Sequence, residues 1–223
     1  MSYLSYTQEY FLCAVNNKGE IPVLSSSDIA ACLVAGGIME LVSGGFVERD
    51  EKKRFVIIRP WNGSLAYLKP LYDTIASAKK NKGAGVVDSY AFSFTDKPLN
   101  ELVAALRASL YGMGCLDEIE DQGLLKSKTR YIPKPEVVTG IIEKIRAEFL
   151  EDGIISEDVL CLAVLLSETS LIRNYFSKVE AASMKKRIKE VKASDAYASV
   201  KDIFDYVEAV AAIIVIVAVT SAT

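Results

Sequence analysis

The chain contains no histidine. That absence removes every catalytic arrangement built on an imidazole base, Ser-His-Asp and Cys-His alike. It also removes the usual zinc patterns, because the four cysteines, Cys13, Cys32, Cys115 and Cys161, form no C-x-x-C pair. No G-x-x-x-x-G-K-[ST] phosphate loop is present, and "NKGAGVVD" lacks the full G-x-G-x-x-G spacing. The densest acidic group, Asp117, Glu118, Glu120 and Asp121, matches no metal-loop spacing and reads as a solvated hairpin tip. No enzyme, metal or cofactor is therefore expected. A net charge of −3 makes the chain a poor generic nucleic-acid binder. The opening "MSYLSYTQEY" has no basic segment leading into an apolar core, so no secretory signal is expected. The cysteines sit among apolar residues and read as buried free thiols in a reducing cytoplasm.

What is present is apolar. Of 223 residues, 51% are hydrophobic and 25% charged, which suits one folded domain over residues 1–223. The longest uncharged run is the end, 15 residues after Glu208. As a helix it spans about 22 Å, short of the roughly 30 Å hydrocarbon core of a bilayer. Upstream, Tyr197, Val200, Ile203, Phe204 and Val207 recur at helical spacing behind Ser194, a plausible N-cap. A helix that turns apolar all round is expected at the centre of a helical domain, with a tail anchor as the competing reading.

Other helices are expected over "TQEYFLCAV", capped by Thr7, and over "DIAACLVAGGIMELV", whose Gly36 and Gly37 point to close helix–helix approach. Further helices are expected over 65–80, from near Leu99, from near Glu136 and through "SEDVLCLAVLLSETSLIRNYF". Three helix ends share a pattern: a bulky apolar residue, a glycine four positions on (Gly45, Gly114 and Gly153), then two apolar residues. This predicts a stop on a left-handed glycine. "FVERDEKKRFVII" and the segment from Cys115 to Ile132 follow the first two stops and read as β-hairpins. The expected fold class is mainly α, a single helical domain with a buried C-terminal helix and one or two β-hairpins. A helix followed by a hairpin, twice, is also a winged-helix arrangement. Against it, residues 28–47 carry no lysine or arginine to read a groove.

The segment from Arg173 to Lys192 carries seven basic residues against Glu180 and Glu190, a local net charge of +5. On a helix, Ala181, Met184, Ile188 and Val191 form an apolar stripe, with Lys178, Lys185, Lys189 and Lys192 beside it. This reads either as a solvated face on a core helix or as a contact for phosphate and acidic lipid. Trp61 and Tyr67 read as packing residues.

In order and spacing, "SSSDIAACLVAGGIMELVSGGFV", "RPWNGSLAYLKPLYDTI", "LRASLYGMGCLDE", "RYIPKPE", "LCLAVLLSETSLIRNYF" and "AASMKKRIKEV" resemble the Golgi phosphoprotein 3 family, over about Tyr6 to Thr223. The resemblance implies a single mostly helical domain with a buried last helix. It implies a peripheral membrane protein of adaptor type that binds phosphatidylinositol 4-phosphate, cytoplasmic, and at the Golgi in a eukaryotic cell. It also implies self-association through a hairpin, here residues 116–131, with Leu116, Leu124, Leu125 and Tyr131 as its apolar contacts. The family's headgroup-binding tryptophan and three arginines align with Ser25, Val34, Asn100 and Val103, and Arg107 is the nearest basic residue. The candidate headgroup contacts are therefore Arg107, Lys185, Lys186, Lys189 and Lys192, facing anionic phospholipid. Replacement of those four residues opens the alternative, a protein-interaction or oligomerisation module without lipid binding.

Overall fold

The computed structural model describes residues 3–22, 26–51, 55–77, 97–122, 127–151, 153–169 and 171–193. Within them lie eight α-helices and two antiparallel hairpins, a mainly α fold. The helices are α1 (Tyr6–Ala14), α2 (Ser26–Ser43), α3 (Lys69–Ser77), α4 (Lys97–Gly112), α5 (Pro135–Leu150), α6 (Glu157–Glu168), α7 (Ile172–Tyr175) and α8 (Lys178–Lys192). The strands are β1 (Val47–Arg49), β2 (Phe55–Ile57), β3 (Leu116–Gln122) and β4 (Ser127–Pro133).

Helix α1 is buried on every side and packs against α2, α4, α5 and α6. Its cap is Ser5, not Thr7. The Gln8 backbone N–H donates to Ser5 Oγ at 3.3 Å, and the Ser5 N–H donates back to Gln8 Oε1 at 3.1 Å, a reciprocal box. Thr7 sits in the first turn and faces α2. There Gly36 earns its place: a Cβ on it would stand 2.9 Å from Thr7 Oγ1 and 3.1 Å from Leu165 of α6. Three helices thus meet where one has no side chain. The core runs on through Phe11, Leu33, Ile38, Leu106, Ile145, Leu160 and Met184.

Two of the three expected glycine stops are present. Gly45 and Gly114 have φ of +68° and +74°. In each, the residue after the glycine donates to a carbonyl five residues back, Phe46 to Leu41 and Cys115 to Leu110, both at 2.9 Å. Gly153 does not follow them, since α5 ends at Leu150 and Glu151 is extended. Each true stop feeds a hairpin. β1 pairs with β2 from Val47↔Ile57 to Arg49↔Phe55, and β3 with β4 from Leu116↔Pro133 to Gln122↔Ser127. The acidic residues Asp117, Glu118, Glu120 and Asp121 lie along strand β3, so they are not the tip.

Helix α2 is buried from Ile29 to Leu41 and has no face to lay in a nucleic-acid groove. The expected helix over 65–80 is a 3-10 turn, Ala66–Leu68, running into α3, and its last positions, 78–80, lie outside the described residues. Trp61 packs 5.2 Å from Phe46 and 5.1 Å from Tyr72, ring centre to ring centre. All four cysteines are free and buried, and burial pushes their thiols up, Cys13 to about 12. Among the described residues no helix is long and apolar enough to cross a membrane. The expected C-terminal helix and its Ser194 cap lie outside the described residues.

Candidate functional site

Helix α8 starts on a second reciprocal box. The Glu180 backbone N–H donates to Ser177 Oγ at 3.2 Å, and the Ser177 N–H donates to Glu180 Oε2 at 2.7 Å. Arg146 of α5 adds a bond from Nε to Glu180 Oε1 at 3.0 Å. The Ser177 contacts first, then Arg146, hold the Glu180 carboxyl down at about 2. Ala181, Met184 and Val191 turn inward and bury, so the rotation of the helix is fixed. Lys185, Lys186 and Lys189 are left exposed, and Lys192 half-buried.

That rotation aims three of the four candidate lysines at one place. Lys185, Lys189 and Lys192 line a groove of about 330 Å³ whose other wall is Val164, Ser167 and Glu168 of α6. Ser167 Oγ is buried there with no hydrogen-bond partner among the described residues. The groove thus sets three ammonium groups beside a spare hydroxyl, with Glu168 as the one acidic group among its described lining residues. A phosphate-sized anion is the complement of such a set.

Other basic residues are committed elsewhere. Lys186 is not on the groove wall and stands 3.7 Å from Glu190. Arg187 donates to the carbonyls of Phe149, Glu151 and Gly153. Arg107 is half-buried on α4, and its Nη2 donates to the Gly19 carbonyl at 2.6 Å. It pins the Asn16–Glu20 turn and does not join the lysines. Of the positions that align with the family's headgroup contacts, Val34 and Val103 are core residues, Asn100 is exposed, and Ser25 lies outside the described residues. A valine at 0% exposure has no reach to a headgroup.

The hairpin residues also separate. Leu116 is buried at the base of the β3–β4 hairpin. Tyr131 is half-buried, edge-on to Tyr111 at 5.4 Å, and its hydroxyl donates to Glu118 at 3.4 Å. Leu124 and Leu125 lie outside the described residues. Among the hairpin's described residues the exposed large apolar group is Ile119, at 47%. Its signal was in the sequence: three residues from Leu116 on a strand is the opposite face.

A family model described as Golgi phosphoprotein 3 (GPP34) matches residues 7–207. The chain belongs to the Golgi phosphoprotein 3 family. No individual curated protein matches it. The family match spans both hairpins and the described helices from Thr7 onward, so the α6–α8 groove and the β3–β4 hairpin both lie within the matched residues.

Proposed function

We propose that this Golgi phosphoprotein 3 family member is a peripheral membrane protein of adaptor type that binds phospholipid headgroups through the α6–α8 groove. The carrying observation is the convergence of Lys185, Lys189 and Lys192 beside the unpartnered Ser167 hydroxyl. Phosphatidylinositol 4-phosphate is the headgroup the family resemblance implies, cytoplasmic membranes the place, and the Golgi the compartment in a eukaryotic cell. Each lysine near an anionic surface contributes about 1 kcal/mol, so the three together account for on the order of a hundredfold in membrane partitioning at low salt. The contribution fades beyond a Debye length, about 10 Å at 0.1 M salt.

The test is vesicle co-sedimentation of the full chain on neutral vesicles, on generally anionic vesicles and on vesicles with phosphatidylinositol 4-phosphate. The expected result is salt-sensitive binding that favours the phosphoinositide and falls in Lys185→Gln/Lys189→Gln/Lys192→Gln. Binding with no preference for anionic lipid would end this reading. Strong phosphoinositide binding unchanged in the triple variant would move the site away from the groove.

One observation favours a second reading. The β3–β4 hairpin is a two-stranded ribbon that exposes Ile119 on one face, while Tyr131, across from Glu118 on the other face, sits edge-on to Tyr111. Paired edge to edge, two such ribbons would form a homo-oligomer without lipid. Light scattering on Ile119→Lys separates the two readings.

A further inference from the structure

Near the end of α2, Glu40 is only 6% exposed. Its carboxylate accepts from the Thr7 backbone N–H at 2.9 Å and from the Tyr67 hydroxyl at 2.5 Å. It faces a cavity of about 720 Å³, bounded by the start of α1, the end of α2, the Ser64–Tyr67 turn and the end of α4. Asp158, at the start of α6, forms part of the wall and accepts from the Tyr3 hydroxyl. Among the described residues no lysine or arginine lines this cavity. Leu65, on its rim, is the one described non-glycine residue with a left-handed φ, 53°.

Tyr6 supplies the independent observation. Its side chain is 7% exposed and lines the same cavity, and its hydroxyl has no hydrogen-bond partner among the described residues. Glu40, Asp158 and Tyr67 are its electrostatic neighbours. A buried hydroxyl beside two carboxylates, bonded to neither, is an orphan that folding leaves at a cost. The cavity is also aromatic, with Tyr3, Tyr6, Phe46 and Tyr67 on its wall.

We propose that this cavity is a binding site for a small organic ammonium ion. The argument is one of complementarity. Two carboxylates with no basic side chain on the wall repel an anion and leave a neutral ligand beside an uncompensated buried charge. An ammonium group supplies the missing cation to Glu40 and Asp158. Its alkyl part rests on tyrosine and phenylalanine faces, whose quadrupoles attract it. A polar substituent on the ligand satisfies the Tyr6 hydroxyl. Burial pushes the Glu40 carboxyl up from its ordinary value against the pull of Tyr67 and Thr7, the condition a bound cation relieves. The site is separate from the α6–α8 groove in both place and sign.

The ammonium group is either that of a free amine or that of a zwitterionic lipid headgroup. Trp61 is the only tryptophan in the chain and packs 5.2 Å from Phe46 on the cavity wall, so its fluorescence reports the site. The experiment titrates the full chain with choline, ethanolamine and putrescine, with sodium phosphate as the anionic control, by calorimetry and Trp61 fluorescence. A parallel arm uses phosphatidylcholine and phosphatidylethanolamine vesicles. Saturable binding of an ammonium compound, weakened about fivefold or more in Tyr6→Phe and in Asp158→Asn, is the expected result. Tyr6→Phe should melt no lower than the parent, because it deletes only an unpaired hydroxyl. Binding of vesicles but not of free amines assigns the ammonium to lipid, and the reverse assigns it to a soluble amine. The triple lysine variant should bind ammonium like the parent whatever becomes of its vesicle binding. The proposal is overturned if no ammonium source gives a saturable response, if phosphate binds instead, or if both cavity variants bind like the parent.

Discussion

The Arg187 guanidinium donates to the backbone carbonyl of Phe149 at 2.9 Å, closing the end of α5 from a different helix. It reaches on to Glu151 and, at 2.5 Å, to Gly153. One basic residue in the middle of a basic helix is therefore structural, with lysines on either side of it exposed. Net charge along α8 does not distinguish the two kinds of residue, whereas hydrogen-bond partners do.

The distinction is measurable. Arg187→Gln should lose about 1–2 kcal/mol, because charge-assisted bonds to several carbonyls go at once. For a chain this long that lowers the melting temperature by about 3–6 °C. Lys189→Gln should change stability by less than about 0.5 kcal/mol, as a surface substitution away from any cap or core contact. Thermal melts of the two variants against the parent check the contrast. Equal losses would mean that Lys189 carries structure too.

The Arg187 contacts also explain where local sequence reasoning stopped. Gly45, Gly114 and Gly153 sit in the same pattern, yet only the first two become left-handed stops. At the third, the Phe149 carbonyl that a left-handed turn would have satisfied is taken by Arg187, 38 residues away. No local pattern carries that information. The capping of α1 is the opposite case. Ser5-x-x-Gln8 is a readable capping box, and Thr7 has no acceptor three residues on. The apolar stripe of α8 was legible because period alone fixes it, and so were Gly36 and the two hairpins. Glu40 was not legible as a site residue. Its partners Thr7 and Tyr67 lie 33 and 27 residues away, and a single acid in an apolar run reads as an interruption.

Glycines at two helix positions should respond in opposite directions. At Gly36 a methyl group meets Thr7 Oγ1 at 2.9 Å and Leu165 Cδ1 at 3.1 Å, in a three-helix contact. Gly36→Ala should cost about 1–3 kcal/mol through overpacking. At Gly140, within α5, nothing lies within 4 Å of the added carbon and the residue is exposed. Gly140→Ala should gain about 0.5–1 kcal/mol, since alanine loses less backbone entropy on entering a helix. Guanidinium unfolding of both variants measures the signs. A neutral Gly36→Ala would show that α1 and α6 have room to move apart.

The hairpin makes its own prediction. Ile119→Lys places a charge on the outer face of β3, opposite Arg130 in the register. It should leave the monomer's stability within about 0.5 kcal/mol, because Ile119 is exposed. If the hairpin mediates association, the same change should abolish concentration-dependent oligomers in light scattering, two positive charges being placed where ribbons would meet. Tyr131→Ala should act differently. It removes the edge-on contact with Tyr111, a pair of the kind contributing about 0.5–1.5 kcal/mol, so it lowers stability whatever happens to association.

Acid stability should depend on Glu180 with a definite sign. Its carboxyl is held at about 2, below its ordinary value of 4.5, first by the Ser177 bonds and then by Arg146. A carboxyl that ionises more readily when folded contributes stability above its unfolded value. That contribution is lost as pH falls from 4.5 toward 2. Glu9 and Glu40 act the other way, because burial raises both and protonation then favours the folded state. The parent should therefore lose part of its acid stability through the α5–α8 contact, and not through Glu9 between α1 and α5 or Glu40 between α1 and α2. Thermal melts of the parent and of Glu180→Gln across roughly pH 2 to pH 6 read this directly, the parent's advantage shrinking as pH falls. A gap between the two that stays constant down to the bottom of that range would mean that Glu180 contributes by shape and hydrogen bonding alone, with its ionised charge irrelevant to how α8 is docked.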